Sequence, residues 1–142
     1  MQVHRIWEYK SFVHIFWLRT DRRKSKGWSY DLLLNKQQDE EEEHPIKQYE
    51  FSKNIAEVVD KFTAFDSIYA YDHFLSYYAA DDKNSFFECF TLLSAIAAIT
   101  NRVKVGQVVT CNSYSNPALL AKMLSTLDII SNGRVELGIG AG

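Results

Sequence analysis

Apolar residues recur at helical spacing in the stretch after Pro45. Phe51, Ile55, Val58, Val59 and Phe62 share one side, with Lys53, Asn54, Glu57, Asp60 and Lys61 between them. This spacing predicts an amphipathic helix of about 15 residues. The pattern then changes period. "SIYAY" (67–71) reads as a short strand, and "RVKVGQVVT" (102–110) is β-branched and strand-like. Between them "SFFE" (85–88) has the form of a capping box, with Ser85 at the N-cap and Glu88 reaching back; it opens the apolar helix "FECFTLLSAIAAIT". In "SNPALLAKMLSTLDIIS" (115–131), Asn116 stands at an N-cap position and Pro117 at the first helical position, where its missing N–H costs nothing. Asn132-Gly133 ends that helix, and "RVELGIG" follows as another strand.

The order is helix, strand, helix, strand, helix, strand, with a repeat of about 30–37 residues. Such alternation predicts right-handed βαβ crossovers and an α/β fold with a parallel sheet. Residues 1–45 do not share it. "FVHIFWL" (12–18) suits one buried strand, "DRRKSKG" (21–27) is turn-like, and "DEEEEH" (39–44) repels itself as a solvated loop. The chain therefore divides into an atypical segment, 1–45, and an α/β segment, 46–142.

Composition narrows the function classes. Of the 142 residues 46% are hydrophobic and 14% aromatic, which argues against global disorder. A compact chain of this size buries roughly 68–70% of its unfolded surface, enough for a core. The net charge of −2 carries no basic excess of the kind a nucleic-acid binder shows. Cys89 and Cys111 are too few for a disulfide framework and too widely spaced for a metal motif, which fits a reduced, cytoplasmic setting. No stretch approaches the ~20 apolar residues of a membrane span. Neither a nucleic-acid, membrane nor metal partner is expected.

In parallel α/β folds, ligands bind at the carboxyl ends of the strands. The segments to inspect are "DHF" (72–74), "TCNSYSN" (110–116) and "GIGAG" (138–142). Asp72-His73 offers a carboxylate beside an imidazole that titrates near neutral pH, an acid/base pair; alternatively Asp72 caps a turn and His73 packs. Thr110, Cys111 and Asn112 offer a hydroxyl, a thiol and an amide, although Asn112 and Ser113 also suit a plain turn. Cys89 lies inside an apolar helix and reads as core. Gly138, Gly140 and Gly142 permit close backbone approach to a ligand such as a phosphate, but their spacing is not the Gly-x-Gly-x-x-Gly of dinucleotide sites.

As an ordered set, "FDSIYAYDHF" and "FECFTLLSAIAAITNRVKVGQVVTCNSYSNPALLAKMLSTLDIISNGRVELGIGAG" resemble the front half of the bacterial luciferase-like monooxygenase family, across roughly residues 49–142. The resemblance implies a partial (β/α)₈ TIM barrel, about its first four βα units, with parallel strands. It implies FMN or the deazaflavin coenzyme F-420 at the C-terminal mouth, and hydride transfer or oxygen insertion on a small organic substrate. Asp72 and His73 match the family's Asp-His pair after the second strand, His73 being the expected catalytic residue. "GQVVT" matches the third strand, where many relatives carry a non-proline cis peptide; its expected place is near Gln107-Val108. Thr110 and Asn112 would face the ring or its tail, and Gly140 and Gly142 match the glycine-rich end of the fourth strand. The Asp-His pair together with "TCNSYSNPALLAKM" leans toward coenzyme F-420.

Some positions depart from the family pattern. Ala64 replaces a usual glycine, Tyr77 falls near a usual tryptophan, the first strand matches poorly and "DEEEEH" resembles an insertion. The later strands, with their phosphate-binding loops, lie outside the sequence, so it is expected to be incomplete by itself. A half-barrel leaves sheet edges and an unfilled inner face, which favours a second chain completing the barrel or a homo-oligomer. The alternatives are a non-catalytic half-barrel interaction module and a small nucleotide-binding doubly wound domain.

Overall fold

The structure, a computed structural model, describes residues 17–19, 45–72 and 87–140. Its elements run β1 (Trp17–Arg19), α1 (Pro45–Lys61), β2 (Ser67–Ala70), α2 (Cys89–Ile99), β3 (Lys104–Cys111), α3 (Pro117–Ser131) and β4 (Val135–Gly140). One four-stranded sheet has the order β1-β2-β3-β4. β2, β3 and β4 are parallel, with Tyr69 opposite Gly106 and Gly106 opposite Glu136. Neighbouring parallel strands joined by crossover helices give a partial TIM barrel. β1 departs from the expected arrangement of parallel staves: it pairs antiparallel with β2, Leu18 opposite Ile68. The direction of a three-residue strand carries no sequence signal, because a period of two reads the same both ways.

The core lies between the sheet and the helices. Ile68 and Ala70 of β2 and Val105 of β3 point into it, against Leu93, Ile96 and Ala97 of α2 and Leu120 and Leu127 of α3. α1 is longer than its periodicity predicts and is rotated. Its buried stripe is Gln48, Ser52, Ala56 and Val59, whereas Val58 and Phe62 are exposed. Small side chains at 52 and 56 can approach the neighbouring elements closely, and the bulkier Tyr49 and Ile55 pack at the flank.

The caps are partly those expected. Asn116 is the N-cap of α3, its side chain accepting from the backbone of Ala118 and Leu119, and Asn132 closes the helix in the left-handed region at φ 56°. α2 differs. It starts at Cys89 with Glu88 as N-cap, the carboxylate accepting from Phe90 N at 3.0 Å and Thr91 N at 2.7 Å. Glu88 thus takes the capping place expected of Ser85, which lies outside the described residues.

At the amino ends of β3 and β4, two arginines tie the turn before each strand to the end of the helix that leads into the neighbouring strand. Arg102 donates to the carbonyls of Val59, Asp60, Phe62 and Phe65, closing the end of α1. Arg134 does the same for α2 through Ala97, Thr100 and Val103. Opposite Arg102, the Asp60 carboxylate accepts from the backbone N–H groups of Asn101, Arg102 and Val103 at 2.8–2.9 Å. Burial by itself would raise the Asp60 carboxyl; those three donors and the Arg102 charge outweigh it and hold the group below its ordinary value. A depressed folded-state pKa stabilises the fold above the unfolded carboxyl's pKa, about 3.9, and that contribution is lost as pH falls through the folded value. Asp60→Asn is therefore expected to lower Tm at neutral pH and to flatten the fall of Tm below about pH 4. Equal acid slopes for the two proteins in calorimetry would contradict this.

Candidate functional site

Register divides the sheet into two faces. Ile68, Ala70, Val105 and Gln107 face the helices, so Ser67, Tyr69, Lys104, Gly106, Glu136 and Gly138 share the opposite, inner face. On that face Glu136 accepts from Tyr69 Oη, from Ser67 Oγ at 3.5 Å and from Lys104 Nζ at 2.5 Å. Tyr69 and Glu136 lie two strands apart. They meet because Gly106 between them has no side chain: its would-be Cβ lies 3.2 Å from the tyrosine ring and would overlap the Glu136 carbonyl oxygen.

Nearer the carboxyl ends the pleat is broken. Gln107 is opposite Leu137 and Thr110 is opposite Ile139, so β3 takes three steps where β4 takes two. This bulge reverses the alternation. By a strict period of two, Gln107 and Thr110 would lie on opposite faces. Instead both are 1% exposed, and the Thr110 hydroxyl donates to Gln107 Oε1. Val108 and Val109, the residues in the bulge, are 38% and 48% exposed. The peptide between them is cis, one bond beyond the place expected from the sequence. Gly138 and Gly140 flank Val109; a Cβ at Gly138 would stand 2.7 Å from the Gln107 carbonyl oxygen, and one at Gly140 would stand 3.0 Å from a Val109 methyl.

Asp72, Asn112 and Gly140 lie at the carboxyl ends of β2, β3 and β4. Asp72 follows β2 and accepts from Cys111 N at 2.9 Å, tying the ends of β2 and β3. Asn112 is exposed in the turn after β3, and Gly140 ends β4 opposite Cys111. Thr110, which the family resemblance implied would face the ring or its tail, is instead buried with Gln107 on the side of the helices, and the two side chains are bonded to each other. Val109 is exposed where Thr110 is buried, and no feature of the one-dimensional pattern marks it. His73 and Gly142 lie outside the described residues.

Cys89, in the first turn of α2, is buried beside this bulge. Burial pushes its thiol up to about 12, with Asp72 and Glu88 adding to the rise and the adjacent Gln107 side chain offsetting part of it. A thiol so shifted is protonated and inert at neutral pH, in keeping with its reading as core. Among the described residues no group of His, Cys, Asp and Glu is placed to hold a metal ion, and no helix is long and apolar enough to cross a membrane.

The arrangement thus offers a ligand an apolar shelf, Val108 and Val109, beside a stretch of β4 kept flat by Gly138 and Gly140, with Asp72 and Asn112 at its edge. Comparison with known proteins gives the chain's family and fold. Residues 30–142 match the family model described as luciferase-like monooxygenase. The chain is 36% identical over 78 residues to an F420-dependent glucose-6-phosphate dehydrogenase of Amycolatopsis mediterranei, covering 54% of this chain and 23% of that protein. It superposes on the monooxygenase RslO1 of Streptomyces bottropensis with a TM-score of 0.59 at 29% identity, covering 71% of this chain and 29% of the other. It also superposes on the oxygenating constituent of the 3,6-diketocamphane monooxygenase of Pseudomonas putida, solved with FMN, with a TM-score of 0.58 at 26% identity, covering 70% and 26%. The matched stretch is thus about a quarter of the length of these relatives.

Proposed function

Because the chain belongs to the luciferase-like monooxygenase family, we propose that it contributes to a site for a flavin-type cofactor, FMN or coenzyme F-420, at the carboxyl ends of β2, β3 and β4. The reaction class is hydride transfer or oxygen insertion on a small organic substrate. One observation carries this reading: Val108 and Val109 are exposed on a strand whose neighbouring residues Val105, Gly106, Gln107 and Thr110 are buried. An exposed apolar pair next to side-chain-free backbone suits the face of a planar ring, and the nearby amide and carboxylate suit its polar edge. The relatives support both cofactors, since one is named for its dependence on F420 and another was solved with FMN.

When bound, the cofactor supplies the electron-carrying chemistry, and the protein's part is position, electrostatics and exclusion of water. Val108 and Val109 would support the ring from one side. Asn112 would donate to or accept from its polar edge. Asp72, fixed by Cys111 N, would hold the end of β2 in place, and His73, next in the sequence, is the candidate for moving a proton. A half-barrel interaction module is the second reading; it is favoured by the exposure of Leu137 and Ile139 on β4 and of Ile129 on α3.

Titration of the chain with FMN and with coenzyme F-420, followed by absorbance, tests the proposal. Saturable binding of one of them is expected, weakened at least about tenfold in His73→Ala and Gly140→Val. Binding of neither, or of both variants as tightly as the unmodified chain, would favour the interaction module.

A further inference from the structure

Resting on the reading above, we infer that the Gln107–Thr110 side-chain bridge is a positioning device, holding the Val108–Val109 shelf toward the cofactor from the far side of the sheet. The two side chains stand at either end of the bulge and face away from the ligand, both 1% exposed and joined to each other. Their bond spans the two residues that project from the inner face, so it fixes the separation of the bulge's ends. Opposite them, Gly138 and Gly140 leave room for Val109 and for the Gln107 carbonyl, where a side chain on β4 would push the bulge away.

The bridge is a costly way to fill this space. Gln107 is a polar side chain only 1% exposed, and taking an amide out of water carries a cost that an apolar side chain does not. An apolar pair would fill the same volume without that penalty but would leave the ends of the bulge untied. What the polar pair adds is direction: a hydrogen bond constrains distance and angle, and apolar packing does not. Neither residue touches the ligand through its side chain, so each acts through Val108 and Val109.

Thr110→Val removes the hydroxyl at nearly constant volume, Thr110→Ser retains it, and Gln107→Met removes the bridge from the other side. All are compared as the full chain, with the folded fraction measured by circular dichroism. In Thr110→Val the amide NMR shifts of Val108 and Val109 should move while those of Val105 and Leu93 stay. The Kd for FMN or coenzyme F-420 should rise about tenfold, and the visible band of the bound cofactor should shift. Thr110→Ser should restore all three. Folded Thr110→Val with unmoved Val108 and Val109 amides, or with moved amides and an unchanged Kd, overturns the inference. If Thr110→Val does not fold, Gln107→Met is judged by the same readouts. If the unmodified chain binds neither cofactor, the functional reading falls separately. The amide shifts then decide the bridge: displacement restored by Thr110→Ser upholds it, and no displacement overturns it.

Discussion

Gly106→Ala is expected to abolish cooperative folding of this chain. The added Cβ would overlap the carbonyl oxygen of Glu136 and approach its carbonyl carbon to 3.0 Å and the Tyr69 ring to 3.2 Å. The first two are backbone atoms of the paired strand, so no rotamer change relieves the overlap. Either β3 and β4 separate at their register point, or the Tyr69–Glu136 contact across the glycine is lost with part of the ladder. Overpacking of this kind commonly costs 1–3 kcal/mol where side chains can yield; against backbone the cost should exceed about 4 kcal/mol. That is a large share of the 5–15 kcal/mol typical of a domain. Gly133→Ala is the control. Gly133 sits at φ 78° with nothing within 4 Å of its would-be Cβ, so that variant should lose only the left-handed penalty of about 1–2 kcal/mol. Thermal melts by circular dichroism distinguish the two. A Gly106→Ala protein melting within a few degrees of Gly133→Ala would refute the packing account.

Arg134→Ala is expected to give the next largest loss. The guanidinium uses all three of its nitrogens: Nε donates to Ser131 O at 2.6 Å, one terminal nitrogen donates to Val103 O at 2.6 Å and Thr100 Oγ1 at 3.0 Å, and the other donates to Ala97 O and Thr100 O at 2.8 Å. Four of these acceptors are backbone carbonyls at the end of α2, the end of α3 and the turn into β3. Without Arg134 those carbonyls must find water or stay unpaired in a partly buried place. A loss on the order of 3–5 kcal/mol follows from the usual cost of charged hydrogen bonds and stranded acceptors, or roughly 10–20 °C in Tm for a domain of this size. Arg134→Lys should recover little of it, because an ammonium cannot reproduce the planar fork. If Arg134→Lys melts with the unmodified protein, charge rather than geometry holds this corner.

Both effects bear on function through the same frame. The arginines fix the amino ends of the strands, and the glycine lets β2, β3 and β4 lie in register, so the carboxyl ends that carry Asp72, Val109, Asn112 and Gly140 arrive at one rim. An error of one residue in that register would turn every side chain of a strand to the wrong face.

How much of this was readable in one dimension differs by element. Asn116-Pro117 and Asn132-Gly133 mark α3 because a cap is a local event, settled by residues three or four apart. The strands β2, β3 and β4 show in β-branched runs for the same reason. α1 was harder: its hydrophobic spacing pointed to Val58 and Phe62, yet the buried stripe runs through Gln48, Ser52 and Ala56. Packing chose small residues where neighbouring elements come close, and hydrophobicity does not encode that choice. The roles of Gly106, Arg102 and Arg134 were invisible, since each depends on partners brought near only by folding.

The sequence by itself determined the alternation of helices and strands from α1 onward, the parallel run of β2, β3 and β4, and hence the end of the molecule where Asp72, Asn112 and Gly140 would gather; these follow from local periodicity and the handedness of crossovers. Only the tertiary structure decided which side chains face that rim. A single extra residue in β3, at Val108–Val109, turned Thr110 to the helices beside Gln107 and brought Val109 to the inner face, because a bulge is defined by the pairing of two strands and neither strand alone contains it.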